Sequence, residues 1–310
     1  MPIRLSRNGR AARLNALANE RCDAGDVPGA LDLYGQAARA QPAWAVPWFN
    51  LGLLHKYRGE WQASLDANQA ALAREPSHEG AIWNAGIAAT ALGQWRLARA
   101  LWRRYGIDMP DSDAPPAFAP SLTPIRVNLS HAPEVLWADR ICPARAVIRS
   151  VPTPASGRRY GDVLLHDGAP NGTRRLHGRE VPVFDELQVL APSDHDTWTL
   201  QLDDLAAEQA DALVQRLVDA DLPAEDWTRS LRSLCKACSE GRADDDPAHT
   251  HPAELAQDDH PGSTTLALAL RRETDDRDKA LALLATLPQA ATGRWECVLP
   301  AHGEAAKEST

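Results

Sequence analysis

Shifted by 34 positions, the first third of this chain matches itself three times without a gap. The units begin at Ala11, Ala45 and Glu79. At their fourth to eighth positions they read LNALA, WFNLG and IWNAG. A glycine stands fifteenth in each (Gly25, Gly59, Gly93), then a polar residue, then Val27, Trp61 or Trp95. A small residue holds the twentieth position (Ala30, Ser64, Ala98), and Pro42, Pro76 and Pro110 close the units. A period of this length means one supersecondary unit repeated, and it narrows the fold more than composition can.

Apolar residues at three- and four-residue spacing predict two amphipathic helices per unit. The glycine ends the first helix and turns the chain. The small twentieth residue lets the paired helices approach, and the proline stops the second. One such hairpin cannot bury its own apolar face, so the units are expected to stack.

These residues resemble the tetratricopeptide repeat (TPR) family over residues 11–110. The resemblance implies a right-handed superhelix whose first helices line a concave groove for a protein or peptide segment. On that pattern the groove side carries Asn15, Asn19 and Asp23, then Phe49, Asn50, Leu53, Lys56 and Tyr57, then Trp83, Asn84, Ile87 and Thr90. Asn19 and Asn50 stand where the carboxylate-clamp subclass has asparagines. Asn15, Gly80 and Asn84 replace its lysines and arginine. The implied ligand is an apolar or mixed segment against an aromatic lining rather than a C-terminal carboxylate. A plainer reading packs Phe49, Tyr57 and Trp83 between units or under a second domain.

Composition removes several classes of function. The net charge of −9 leaves no basic stripe for phosphate backbones, so no nucleic-acid partner is expected. No apolar run approaches the ~20 residues of a membrane helix. The opening MPIRLSRNGRAARLN lacks the apolar stretch of a secretory signal. Five unevenly spaced cysteines do not suggest a disulfide framework, so a cytoplasmic chain is expected. The sequence is silent on oligomeric state.

The proline-rich stretch 109–124 reads as a linker after a repeat domain spanning 1–108. No extra helix follows Tyr105 to cover the last hairpin, so a downstream domain is expected to cover that end. Residues 125–195 read as a β-rich domain, a small barrel or sandwich of six short strands: IRVNL, EVLWADRI, RAVIRSV, YGDVLLHDG, TRRLHG and EVPVFDELQVL. Asn171-Gly172 is the stronger of two turn dipeptides, His177-Gly178 the weaker. Asp162, His166, Asp167, His177, Asp185 and Glu186 form a polar cluster with no catalytic or metal spacing. They read as solvated hairpin ends.

Residues 196–302 alternate strand and helix patterns. Trp198, Leu200 and Leu202 suit a strand, Ala206, Ala210, Leu213, Val214 and Leu217 a helix. Leu266, Leu268 and Leu270 suit a strand, Ala280, Leu281, Leu284 and Leu287 a helix, and Trp295, Cys297 and Leu299 a last strand. DWTRSLRSL is a strand or a short helix. As a strand it completes βαββαβ, a ferredoxin-like α/β domain. The fold class is thus α+β multidomain, an N-terminal α-solenoid of three TPR hairpins followed by these two domains, with a flexible tail at 303–310.

Within the loop 235–260, Cys235 and Cys238 have the gap that lets two thiolates reach one tetrahedral ion, and His249 and His251 could complete a zinc site. His260 is a spare ligand. A redox pair, or two helix-buried cysteines beside an Asp/His-rich loop, are the competing readings. The expected function is a protein-binding adaptor or chaperone-like protein rather than an enzyme. An immunity or antitoxin-type protein, or a metal-dependent enzyme with its site in the C-terminal half, are the alternatives.

Overall fold

The computed structural model describes residues 7–131, 133–230, 263–285 and 293–302. The chain divides into two compact units, Met1–Ala117 and Phe118–Thr310.

Among its described residues the first unit holds six helices: α1 (Arg7–Asp23), α2 (Val27–Ala40), α3 (Ala45–Tyr57), α4 (Trp61–Arg74), α5 (Glu79–Ala91) and α6 (Trp95–Tyr105). They pair as α1/α2, α3/α4 and α5/α6. Gly25, Gly59 and Gly93 all take the left-handed conformation, at φ 75°, 69° and 67°. Each is followed by the same closure: Asp26 N–H donates to Arg21 O, Glu60 N–H to His55 O and Gln94 N–H to Ala89 O, at 2.8–2.9 Å. A side chain at the glycine would be strained there, which is why the fifteenth position repeats as glycine.

Inside each hairpin the eighth and twenty-fourth residues meet. Gly52 faces Asn68 and Gly86 faces Trp102; an added Cβ would lie 2.3 Å from Asn68 Nδ2 and 2.5 Å from the Trp102 ring. In the first hairpin Ala18 shares a buried cluster with Tyr34. The small eighth residue is therefore a steric condition for the large partner opposite.

Gly106, at φ 104°, ends α6 and reverses the chain, with Ile107 N–H closing on Trp102 O at 2.9 Å. Residues 107–114 then run back over α6 as a strap without helix or strand. The Arg99 guanidinium donates to Pro110 O (2.9 Å) and Ala114 O (3.2 Å). Arg96 pairs two-pronged with Asp113, at 2.8 and 2.7 Å. Met109 is buried. The end of the repeat, expected to need a downstream domain, is covered in part by the segment read as a linker.

The second unit opens with a closed barrel: β1 (Ser121–Val127), β2 (Glu134–Cys142), β3 (Arg145–Ile148), β4 (Val163–Leu176) and β5 (Arg179–Ala191). Successive strands are antiparallel, and β1 closes on β5 in parallel. Ile125, Val127, Leu136, Ala138, Ala146, Ile148, Leu164 and Phe184 form its core. Two expectations need correction. VLLHDG and TRRL belong to one long strand, β4, so among the described residues the strands number five rather than six. The turn is His177-Gly178, both at positive φ (48° and 78°) and flanked by the Leu176–Arg179 pair. That is the geometry a two-residue hairpin needs. Asn171-Gly172 lies inside β4, where the register shifts between Pro170 and Thr173.

The chain continues through β6 (His195–Asp203), α7 (Ala207–Asp219), β7 (Ala224–Asp226), α8 (Trp227–Ser230), β8 (Ser263–Arg271), α9 (Asp276–Leu284) and β9 (Arg294–Leu299). These strands form one antiparallel sheet in the order β7-β8-β6-β9. DWTRSLRSL begins at the last residue of β7 and enters α8. One sheet face buries Leu200, Leu202, Leu266, Leu268 and Leu270 against Leu213 and Leu217 of α7 and Leu284 of α9. Ala267 and Ala269 pack instead with Val151 and Trp227, joined by Tyr160. Hydrogen bonds stitch barrel to sheet: Trp227 Nε1 donates to Val151 O (3.2 Å), Val151 N–H to Glu225 (3.1 Å) and Arg159 Nε to Pro300 O (2.7 Å).

Candidate binding groove and buried polar clusters

The structure sorts the predicted groove residues into three groups. Asn15 and Asn50 meet across α1 and α3: Asn50 Nδ2 donates to Asn15 Oδ1 at 3.1 Å. This bond ties neighbouring hairpins together, and Asn15 is buried. Asn84 and Ile87 are also buried, Ile87 completely. Trp83 stands edge-on to Trp102 (5.0 Å) and to Tyr105 (4.7 Å), so its ring packs against α6.

The third group surrounds the exposed ring of Tyr57 and the exposed Asn19. Asn19 is exposed, and its Oδ1 accepts from Tyr34 OH at 2.6 Å, which leaves its amide N–H₂ outward. Burial, then the Cys22 thiol beside it, pushes the Tyr34 hydroxyl upward in pKa, so it stays a donor. Leu53 and Phe49 are half-buried. The Phe49 ring lies 4.6 Å from His78 and close over Gly80, where a Cβ would come within 3.0 Å. Tyr57 is 59% exposed, and the ammonium of Lys56, itself only 3% exposed, lies 4.3 Å from its ring centre. A cation held against one aromatic fixes the ring's attitude while its edge stays open. Of the predicted groove residues, Asn19, Asp23 and Tyr57, on α1 and α3, are exposed, and Phe49, Asn50, Leu53 and Trp83 are half-buried.

The first unit is thus a repeat of three helical hairpins. Three known structures similar to it are TPR proteins. The first TPR of Spaghetti (RPAP3), bound to HSP90 peptide SRMEEVD, is 21% identical, covering 33% of this chain and 81% of that one, with a TM-score of 0.31. The second TPR of Spaghetti (RPAP3), bound to the same HSP90 peptide, is 18% identical over 32% of this chain and 91% of that one (TM-score 0.31). Yeast Tom70 is 17% identical over 35% of this chain and 22% of that one (TM-score 0.32). No family profile and no curated protein matches the chain. Among the described residues no helix is long and apolar enough to cross a membrane.

In the second unit, the residues expected as solvated hairpin ends are mostly buried. Asp162 is fully buried; it accepts from Arg159 N–H (2.9 Å) and Ser193 N–H (2.8 Å), with His302 Nε2 at 3.5 Å. Asp185 takes both prongs of Arg126 at 2.8 Å, and Asn171 Nδ2 at 3.0 Å. Glu186 pairs with Arg158 at 2.8 Å. Asp167 receives Gly168 N–H at 2.7 Å. Only His177, at the hairpin tip, is exposed. Each buried carboxylate has found a guanidinium or backbone donor, as burial requires.

His166 is fully buried, with Nδ1 2.7 Å from Asp167 O, so Nδ1 carries the proton. Burial drives its pKa down to about 4, and the Arg140 guanidinium acts in the same direction. Glu134 and Glu225, which the sequence did not single out, lie at the barrel–sheet junction. Burial, and then the charge of Glu134, push Glu225 up to about 7. Glu134 is raised by burial, against donors from Thr153 at 3.0–3.3 Å. Among the described residues no three metal-ligating side chains converge. Cys235, Cys238, His249, His251 and His260 lie outside the described residues.

Proposed function

We propose that this chain is a cytoplasmic protein-binding adaptor that holds an extended partner segment on the α1/α3 part of its inner repeat face. The observation that carries the reading is the open, cation-steadied ring of Tyr57 beside Leu53 and the outward Asn19 amide. Exposed aromatics flanked by apolar and amide groups are typical binding anchors, because they bury much area at little entropic cost. A mixed segment with an apolar anchor and backbone acceptors for Asn19 is the ligand class this surface fits. The neighbours bound to HSP90 peptide are of one mind with a peptide ligand, without naming this chain's partner.

For the sheet-bearing half of the second unit the reading is a ferredoxin-like arrangement. Its support is the chain order β6-α7-β7-β8-α9-β9, with the short α8 between β7 and β8, together with the sheet order β7-β8-β6-β9. The assignment adds no activity, since fold alone does not specify one.

Peptides selected from a random display library against the full chain test the groove. Tyr57→Ala and Leu53→Glu should each weaken selected peptides by about tenfold, the loss of ~1.4 kcal/mol expected for a modest anchor. Melting temperatures should hold, because both side chains face solvent at least in part. Peptides that bind both folded variants as tightly as the parent chain would remove the groove from consideration.

A further inference from the structure

The strap over α6 reveals a second surface. Helix α6, WRLARALWRRY, carries four arginines in a chain that is acidic overall. Arg96, Arg99 and Arg103 recur at three- and four-residue spacing, so they form one stripe. The strap laid on that stripe has carboxylates at Asp108, Asp111 and Asp113. Its recognition is of two kinds. Arg99, buried, reads backbone carbonyls at Pro110 and Ala114, which any extended chain offers. Arg96 and Arg103 read carboxylates: Arg96 holds Asp113 with both prongs and lies 3.3 Å from Asp111, and Arg103 lies 3.5 Å from Asp111.

The strap does not use the whole face. It bends at Asp113–Ala114, where Ala114 N–H closes on Ser112 Oγ at 3.0 Å. Beyond the bend, an open depression of about 590 Å³ lies along the N-terminal half of α6, lined by Gly93, Gln94, Trp95, Leu97 and Ala100, with Arg96 and Asp113 at its rim. Its wall is mainly apolar.

We propose that this face is a second peptide site, built for an extended acidic segment followed directly by apolar side chains, and that residues 108–114 occupy its acidic half in cis. The strap supplies the carboxylates and the carbonyls. A partner that runs straight on from its second carboxylate fills the apolar half as well. The cis segment competes from a high effective concentration. Its exposed ion pairs hold it only weakly. A trans ligand therefore needs the apolar contact to win.

Two fluorescent peptides test this with the full chain: MPDSDAPPA, the strap itself, and MPDSDLLA, in which leucines follow the second aspartate. The expected order on the parent chain is measurable binding of the leucine peptide and at least tenfold weaker binding of the strap peptide. Met109→Ser with Asp113→Ser, which loosens the cis strap, should strengthen both by tenfold or more. Arg96→Glu and Leu97→Glu should each weaken the leucine peptide by at least tenfold. Arg96 is solvent-exposed, so its variant keeps the helix. Hydrogen exchange gives an independent reading: saturating leucine peptide should speed exchange of the amides at 108–114. Equal binding of the two peptides, indifference to Arg96→Glu, or unchanged exchange at the strap would each overturn the proposal.

Discussion

Trp102→Ala is expected to cost the first unit about 4 kcal/mol, the range for deleting a fully buried tryptophan. The ring fills the interval between α5 and α6. It meets both Gly86 and Trp83 of α5. Hairpins in such arrays are stabilised by their neighbours, so the loss should appear first as unfolding of α5 and α6. Denaturant titration, with hydrogen exchange to locate the opening, reads both effects. The pairing with Gly86 gives a sharper check. In the parent chain Gly86→Ala places a Cβ 2.5 Å from the ring and should destabilise by about 1–3 kcal/mol of overpacking. In the Trp102→Ala chain the ring is gone, and alanine's better helix propensity should make the same change neutral or favourable, by up to ~1 kcal/mol. The effect of one methyl group thus changes sign with its neighbour. If Gly86→Ala costs the same in both chains, the eighth and twenty-fourth positions are not coupled and the account of the hairpin core is wrong.

The six helices were legible because their determinants are local. Gly25, Gly59 and Gly93 recur where a left-handed residue is required, and the apolar spacing around them needs no distant partner. The strap was not legible. Proline excludes helix at 109–116, but nothing in the stretch announces that Arg99 will take its carbonyls. The β4–β5 turn failed for a related reason. Asn171-Gly172 has the better intrinsic turn preference, yet the Asn171 amide is committed to Asp185 on the neighbouring strand, and Gly172 absorbs the register shift. The tertiary contact outweighed the local one.

The buried acids show the same limit at the level of sites. Asp185 looks solvated until Arg126, 59 residues away, is brought beside it. Glu225 looks like a surface residue on a short strand until the barrel lays Val151 against it. Within the groove, residue type and repeat position placed Asn15, Asn84 and Ile87 on the inner face, but exposure depends on what packs there. Asn15 is spent on Asn50 and Ile87 is enclosed. Tyr57 and Leu53 retained an open face, and those are the positions where the binding reading now rests.

Two of the perturbed groups of the second unit, His166 and Glu225, should give its stability an unusual pH profile. His166 falls from its ordinary 6.5 to about 4 in the folded chain. A depressed value means the folded state disfavours the proton. The stabilisation is therefore complete above pH 6.5 and is lost as the pH falls through 4. Its ceiling is about 3 kcal/mol, at 1.36 kcal/mol per unit. Glu225 moves the other way, from 4.5 up to about 7. Its contribution is complete below pH 4.5 and is lost as the pH rises through 7. It is the smaller of the two, because the side chain is half-buried and partly screened. Between pH 4.5 and 6.5 the two slopes oppose, so the parent chain should show a flattened stability curve there. Each substitution should unmask the other group. Glu225→Gln, which keeps an acceptor for Val151 N–H, should leave a curve that declines steadily on acidification below pH 6.5 and gains stability at pH 8. His166→Leu shifts the whole curve by a constant, since it also removes the bond to Asp167 O, and should leave a curve that declines as the pH rises from 4.5 to 7. Urea titrations at half-unit intervals from pH 4 to 8 distinguish these shapes. Parallel curves for the parent chain and both variants would mean that neither group is linked to folding, and the buried environments assigned to them would have to be abandoned.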